Sequence, residues 1–286
     1  MPDTCGGLPL FGIGLAAFAY AYGLGLLRGR AARERAVWRA VSFYAGLGAL
    51  VLALEPPVDR LADELFWAHM LLQLIAPPLI VLGAPLMPIL RMLPAGGRRR
   101  LFRWLSRSGW VAPARGLARF VGRPLVAWLL FNGVVLGSHL PVLFELALRD
   151  RGFHEGEHAL FVGLGLLFWS RALDSPPLRA RVLGVRRFVF FFSAAASEWL
   201  LALAILAAHG PLYDHYAQLL PRPEHLSTLA DQQFGAGLML DPLGPLALAA
   251  AWALKVVLSP PASGRRRTRS QHACVVAQPG DAGLGC

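Results

Sequence analysis

The sequence predicts an all-α fold, a polytopic transmembrane helical bundle of about seven spans with its N-terminus outside and its C-terminus cytoplasmic. Three observations predict it. First, 56% of the 286 residues are hydrophobic and only 16% are charged, too apolar for an ordinary soluble domain. Second, apolar runs near 20 residues recur along the chain, each long enough to cross a hydrocarbon core of about 30 Å. Third, the basic residues cluster in alternate connectors, the positive-inside pattern of membrane proteins. A soluble helical protein would need helices apolar on every face. The formal net charge of +11 therefore reports orientation in a membrane and not a nucleic-acid surface.

The first segment runs over about 8–27 and ends in Arg28, Arg30, Arg33 and Arg35. It has no basic stretch before it, so it reads as a retained helix and not a cleaved signal. The second, 37–54, stops at Glu55-Pro56-Pro57, and an acidic connector with Asp59, Asp63 and Glu64 follows. The third, 65–90, contains Pro77, Pro78, Pro85 and Pro88 and must be kinked or broken, which membranes tolerate where neighbours satisfy the freed carbonyls. A long basic connector comes next, from Arg91 to Arg123, and its pattern over 101–120 suits an interfacial amphipathic helix. Segment four, 124–144, passes through a histidine-rich connector into segment five, 157–173. A basic loop with Arg179, Arg181, Arg186 and Arg187 precedes segment six, 188–208. The longest outer loop, 209–231, leads to segment seven, 235–258. Residues 1–258 thus form the membrane domain. Residues 259–286 form a basic cytoplasmic tail read as disordered. Of 28 lysines and arginines, only Arg60, Arg149, Arg151 and Arg222 fall in connectors assigned outside. The composition places the chain as a multi-pass membrane protein, with the lipid bilayer as its first partner.

This topology sorts the candidate chemistry. His69, His139, His154, His158, His209, His215 and His225 fall on the outer side, and His272 falls in the tail. His154 and His158 are spaced to share one helix face, with Glu155 and Glu157 beside them. His69 lies roughly 6 Å into segment three at 1.5 Å per residue, followed by Met70. His139 lies about as far from the outer end of segment four. Met239 lies a turn into segment seven, just after Asp231, Gln232 and Gln233. The connector from Glu145 to Gly156 is short, so segments four and five should be antiparallel neighbours with His139 and His158 at matching depth. Imidazole and thioether ligands with few thiolates suit copper better than magnesium or calcium. The candidate metal site is His139, His154 and His158, with His69 and Met239 next, and Glu157, Asp231 and Met70 secondary. A carboxylate such as Glu155 or Glu157 would hold a ring N–H. The plainer reading of each histidine is an interfacial ring bonded to a headgroup or a backbone carbonyl. Glu198 stands in the middle of segment six, where an ionisable group is costly and usually functional. Cys5, Cys274 and Cys286 form no CxxC pair or disulfide framework. No nucleotide loop, catalytic triad order or zincin motif is present, so no catalytic residue is assigned.

Three blocks carry a resemblance. The first is His69-Met70-Leu71-Leu72, then Ala76-Pro77-Pro78 through Gly83-Ala84-Pro85. The second is His139-Leu140-Pro141, His154, Glu157-His158, Phe161 and Leu167-Phe168-Trp169. The third is Pro211-Leu212-Tyr213, Asp231-Gln232-Gln233, Gly237 and Met239. Together they resemble the CtaG family of cytochrome c oxidase assembly factors, the polytopic seven-helix type found with bacterial caa-type oxidases, and not the single-span copper chaperone that shares the name. The resemblance covers about 38–258. It implies a non-enzymatic role in assembling the oxidase, with oxidase subunits as partners and a copper ion bound or delivered at the outer face. Two departures stand out. Relatives pair two histidines on the third segment, whereas here Leu65 precedes His69 and Gln73 follows it at that spacing. Glu198 has no counterpart in the family pattern. A metal-free scaffold for an oxidase subunit is the alternative that the missing histidine favours. A b-type haem electron carrier, using His139 with His158, is a third.

Overall fold

Proline and glycine decide where the apolar runs become helices. The computed structural model describes residues 7–25, 30–54, 75–215, 227–241 and 244–258. In chain order the described helices are α1 (Gly7–Gly25), α2 (Arg30–Leu54), α3 (Ala76–Leu82), α4 (Leu86–Arg91), α5 (Ala95–Arg107), α6 (Ala112–Val121), α7 (Pro124–Ser138), α8 (Pro141–Arg149), α9 (Arg151–Ala172), α10 (Val185–Leu206), α11 (Thr228–Met239) and α12 (Pro245–Leu258). No β-strand forms among the described residues; a lone bridge pairs Ser175 with Leu178. The all-helical expectation holds.

Several segments read as single helices are broken. In the third, Pro77 and Pro78 sit in the first turn of α3, where a missing N–H is no loss. The chain then turns through Gly83 and Ala84, the latter at φ 51°. Neighbours take up the carbonyls at this break: the Ser42 hydroxyl donates to Leu79 O at 2.7 Å, and the Tyr20 hydroxyl donates to Gly83 O at 2.9 Å. The first ten residues of that segment, with His69 and Met70, lie outside the described residues. Segment four divides at His139-Leu140 because Pro141 holds Leu140 extended at φ −66°, ψ 127°. The connector 145–156 is itself helical: α8 runs to Arg149, and α9 starts at Arg151, six residues before the expected start. Segment seven divides into α11 and α12 around residues 240–244. The amphipathic stretch 101–120 is α5 and α6, joined by a 3-10 turn at Gly109–Val111. The tail, 259–286, lies outside the described residues.

Tight crossings occur at glycines. A Cβ on Gly46 would stand 2.8 Å from Ile80, and one on Gly83 would meet Phe43. One on Gly165 would stand 2.8 Å from Pro77, and one on Gly23 would overlap Pro88. These contacts seat α3 and α4 against α1, α2 and α9, as small residues do in membrane helix packing. The main core joins Phe131 and Val135 of α7, Phe161, Phe168 and Trp169 of α9, Phe190, Phe191 and Ala194 of α10, and Leu246 and Ala250 of α12. Phe168 is its centre, stacked on Phe131 at 4.5 Å and on Phe190 at 4.6 Å. A second cluster of Tyr20, Phe43, Leu47, Ala76 and Ile80 holds α1, α2 and α3 together. A third joins Phe144, Ile205, Tyr213 and Ala236.

Among the described helices, α10 alone is long and apolar enough by itself to cross a membrane. The pair α6 and α7 qualifies only together, and it bends by 74°. The apolar parts of α1, α2 and α12 are shorter. The first turns of α9 are polar because they carry the histidines and carboxylates. Large apolar side chains nevertheless face outward, including Trp38 (79% exposed), Val142 (79%) and Leu125 (69%).

Candidate functional site at the histidine corner

The corner between α7 and α9 is built by two local signals. Pro141 ends the α7 direction and starts α8. Asp150 then caps α9, its Oδ1 accepting the Phe153 N–H at 2.8 Å. His154 and His158, one turn apart on α9, lie on one face. Their ring centroids are 4.3 Å apart at 52°. Glu155 turns outward into an exposed i,i+4 pair with Arg151 at 3.1 Å. Glu157 turns inward and is buried, and its Oε2 has no hydrogen-bond partner among the described residues. The carboxylate beside the pair is therefore Glu157 and not Glu155.

His139 is the C-cap of α7 and is also buried. Its Nδ1 lies 2.6 Å from Val135 O, and Ser138 Oγ lies 3.3 Å away. A carbonyl accepts only from an N–H, so Nδ1 carries the proton and Nε2 is the basic nitrogen of the neutral ring. The His139 backbone carbonyl accepts the Tyr213 hydroxyl at 3.2 Å. Tyr213 is wholly buried and packs on Phe144 with centroids 4.2 Å apart. Burial pushes its phenol pKa well above the ordinary tyrosine range.

Leu212 and His215, after α10, are held by side chains that sequence reasoning did not single out as site residues. Gln232 Oε1 accepts the Leu212 N–H at 2.7 Å. Glu145 Oε1 accepts the His215 N–H at 2.9 Å, while its Oε2 holds Arg149 at 3.1 Å. Tyr213 and Gln232 do belong to the third motif block, so the blocks marked the residues that close the loop. Nothing in the sequence marks Glu145 beyond its i,i+4 spacing to Arg149. Asp231 and Gln232 are buried at the start of α11, which Ser227 caps through the Ala230 N–H at 3.1 Å. Met239 is half-buried at the other end of α11 and packs against the Phe144–Tyr213 cluster.

The structure thus brings His154 and His158 together. Among the described residues, no three His, Cys, Asp or Glu side chains are grouped to hold one metal ion. His69 and Met70 lie outside the described residues.

With this geometry in view, comparison with known proteins identifies the chain. The family model described as cytochrome c oxidase caa3 assembly factor, Caa3_CtaG, matches residues 18–259. The chain belongs to that family. The match takes in all three motif blocks and the whole histidine corner. Among similar proteins are an uncharacterized protein of Mycobacterium bovis and one of Mycobacterium tuberculosis, each 26% identical over 229 residues, which is 78% of this chain and 34% of theirs. An uncharacterized protein of Mycobacterium leprae is 25% identical over 239 residues. The chain therefore spans about a third of the length of the curated relatives it matches. No solved structure matches it.

Proposed function

We propose that this Caa3_CtaG family member is a multi-pass inner-membrane protein with no catalytic activity of its own. In this reading it binds a copper ion at its outer face during assembly of a caa3-type oxidase. The observation that carries the reading is the close His154/His158 pair beside buried Glu157. Two imidazoles one turn apart form a chelating pair, and a dry neighbouring carboxylate is suited to hold a ring N–H. When bound, copper supplies the cargo or the redox centre. The chain's own residues orient the imidazoles and keep water from one side of them. Two ligands alone are too few for a tight site, and His69 with Met70 are the candidates that complete it. The membrane setting is supported by the alternation of arginine between connectors and by the outward Trp38, Val142 and Leu125, which would be costly in water. On α5 and α6 the apolar residues Trp104, Leu117 and Phe120 face outward among arginines, which suits a helix pair lying on an anionic leaflet.

The test is the copper content of the purified protein, together with oxidase activity in a deletion strain complemented by His154→Ala/His158→Ala. The reading expects copper in the parent protein, none in the variant, and poor complementation by the variant. A copper-free parent, or full complementation by the variant, would sink the copper reading. The scaffold reading has its own support, since no three ligands group among the described residues. It expects complementation without copper.

A further inference from the structure

Glu198 is the buried group that the copper reading leaves unused. It lies in the middle of α10 at 8% exposure, and its Oε1 has no hydrogen-bond partner among the described residues. Its neighbour Ser197 is fully engaged, donating to Asn132 Oδ1 at 2.5 Å, while the Asn132 amide donates to Trp128 O at 2.9 Å. The polar layer across α7 and α10 is therefore closed without Glu198. Glu198 instead lines a cleft of about 310 Å³ together with Phe131, Trp169, Trp199, Met239 and Asp241. That volume lies at the lower end of small-molecule sites, about 300–1,000 Å³.

The chemistry of the wall states what the cleft accepts. Its two charged residues are carboxylates, Glu198 at depth and Asp241 exposed, and no Lys, Arg or His lines it among the described residues. Three aromatic side chains supply faces that attract cations. Leu238 and Met239, in the C-terminal turn of α11, also line the cleft, and that helix end adds its negative dipole. The first turn of α12 borders it too, and its positive end favours the charged form of a nearby carboxylate. A buried carboxylate with no partner is costly. We propose that this cleft is a binding site for a small organic cation with an apolar body, of the amine or quaternary ammonium class, with Glu198 as its counter-charge. The proposal uses none of the His139, His154 and His158 side chains, although Met239 of the cleft wall also packs against the Phe144–Tyr213 cluster.

The probe is benzylamine, titrated calorimetrically into the purified full-length protein in detergent, with benzyl alcohol as the neutral isostere. Saturable benzylamine binding is expected, at least about tenfold tighter than benzyl alcohol. Glu198→Gln should remove that advantage while leaving the thermal midpoint and copper content unchanged. If Glu198→Gln fails to fold, Asp241→Asn serves, with an expected loss of about threefold. Absence of benzylamine binding, equal binding of benzyl alcohol, or undiminished binding in the folded Glu198→Gln and Asp241→Asn proteins would each overturn the proposal.

Discussion

The two ends of the α7–α9 pair solve the problem of burying polar groups in opposite ways. At the arginine end, every group named has a partner. Gly122 O, at the C-terminus of α6, accepts from Arg171 at 3.2 Å and from Arg181 at 3.1 Å. Arg171 also holds Ser170 Oγ at 2.7 Å, and its carbonyl takes the N–H groups of Arg181 and Val182. Arg187 donates to Val182 O at 3.1 Å and lies over Trp252 at 5.0 Å. Guanidinium groups at helix C-termini satisfy orphan carbonyls and meet the negative dipole end. At the histidine end a tilted imidazole pair stands beside Glu157, whose buried Oε2 has no hydrogen-bond partner among the described residues. One end is a closed structural knot. The other leaves a buried carboxylate oxygen unbonded, the kind of exception that asks for an explanation.

The largest test of this contrast is all or none. A periplasm-active reporter fused after Glu224 should be active, and the same reporter inserted between Arg98 and Arg119 should be silent. The reverse outcome would put the histidine corner in the cytoplasm and break the outer-face reading.

Next comes a crossed pair of variants. His154→Ala/His158→Ala should abolish copper binding and leave the thermal midpoint nearly unchanged. Arg171→Ala should keep copper and lower stability by about 2 kcal/mol, the scale of lost charged hydrogen bonds. If both variants lose copper and stability together, the two ends are one cooperative unit and the contrast is wrong.

A smaller effect separates Glu157 from its surroundings. Glu157→Gln keeps the shape and should weaken copper binding by about tenfold, as loss of an outer partner to a ligand does. Unchanged affinity by competition titration would make the carboxylate an ordinary buried acid. The smallest effect is Tyr213→Phe. Losing the bond to His139 O should cost about 1 kcal/mol, read as a shift in the denaturation midpoint with copper content intact.

The sequence by itself determined the all-helical class, the alternation of arginine, the family and the facing of His154 with His158. Each is a local or compositional property. Helical period places residues four apart on one face whatever surrounds them, and the three motif blocks lie within the matched residues 18–259. It also announced that the third segment would break, because proline removes a donor wherever it stands.

Tertiary structure decided the rest. Pro141 and the Asp150 cap turned the expected connector into α8 and an extended α9. Which of two adjacent carboxylates goes inward depended on the rotation of α9 against its neighbours, and it chose Glu157 over Glu155. The His139 ring donates to Val135 O, and the His139 main-chain carbonyl accepts the Tyr213 hydroxyl. Gly122 became the acceptor for arginines 49 and 59 residues away. Glu198 was legible as an oddity in an apolar run. Only the packing of α7, α9, α10 and the broken α11–α12 pair could show that it faces a cleft. Spacing along a chain fixes directions about one helix axis, whereas distances between helices follow from how side chains of distant segments fill a common volume.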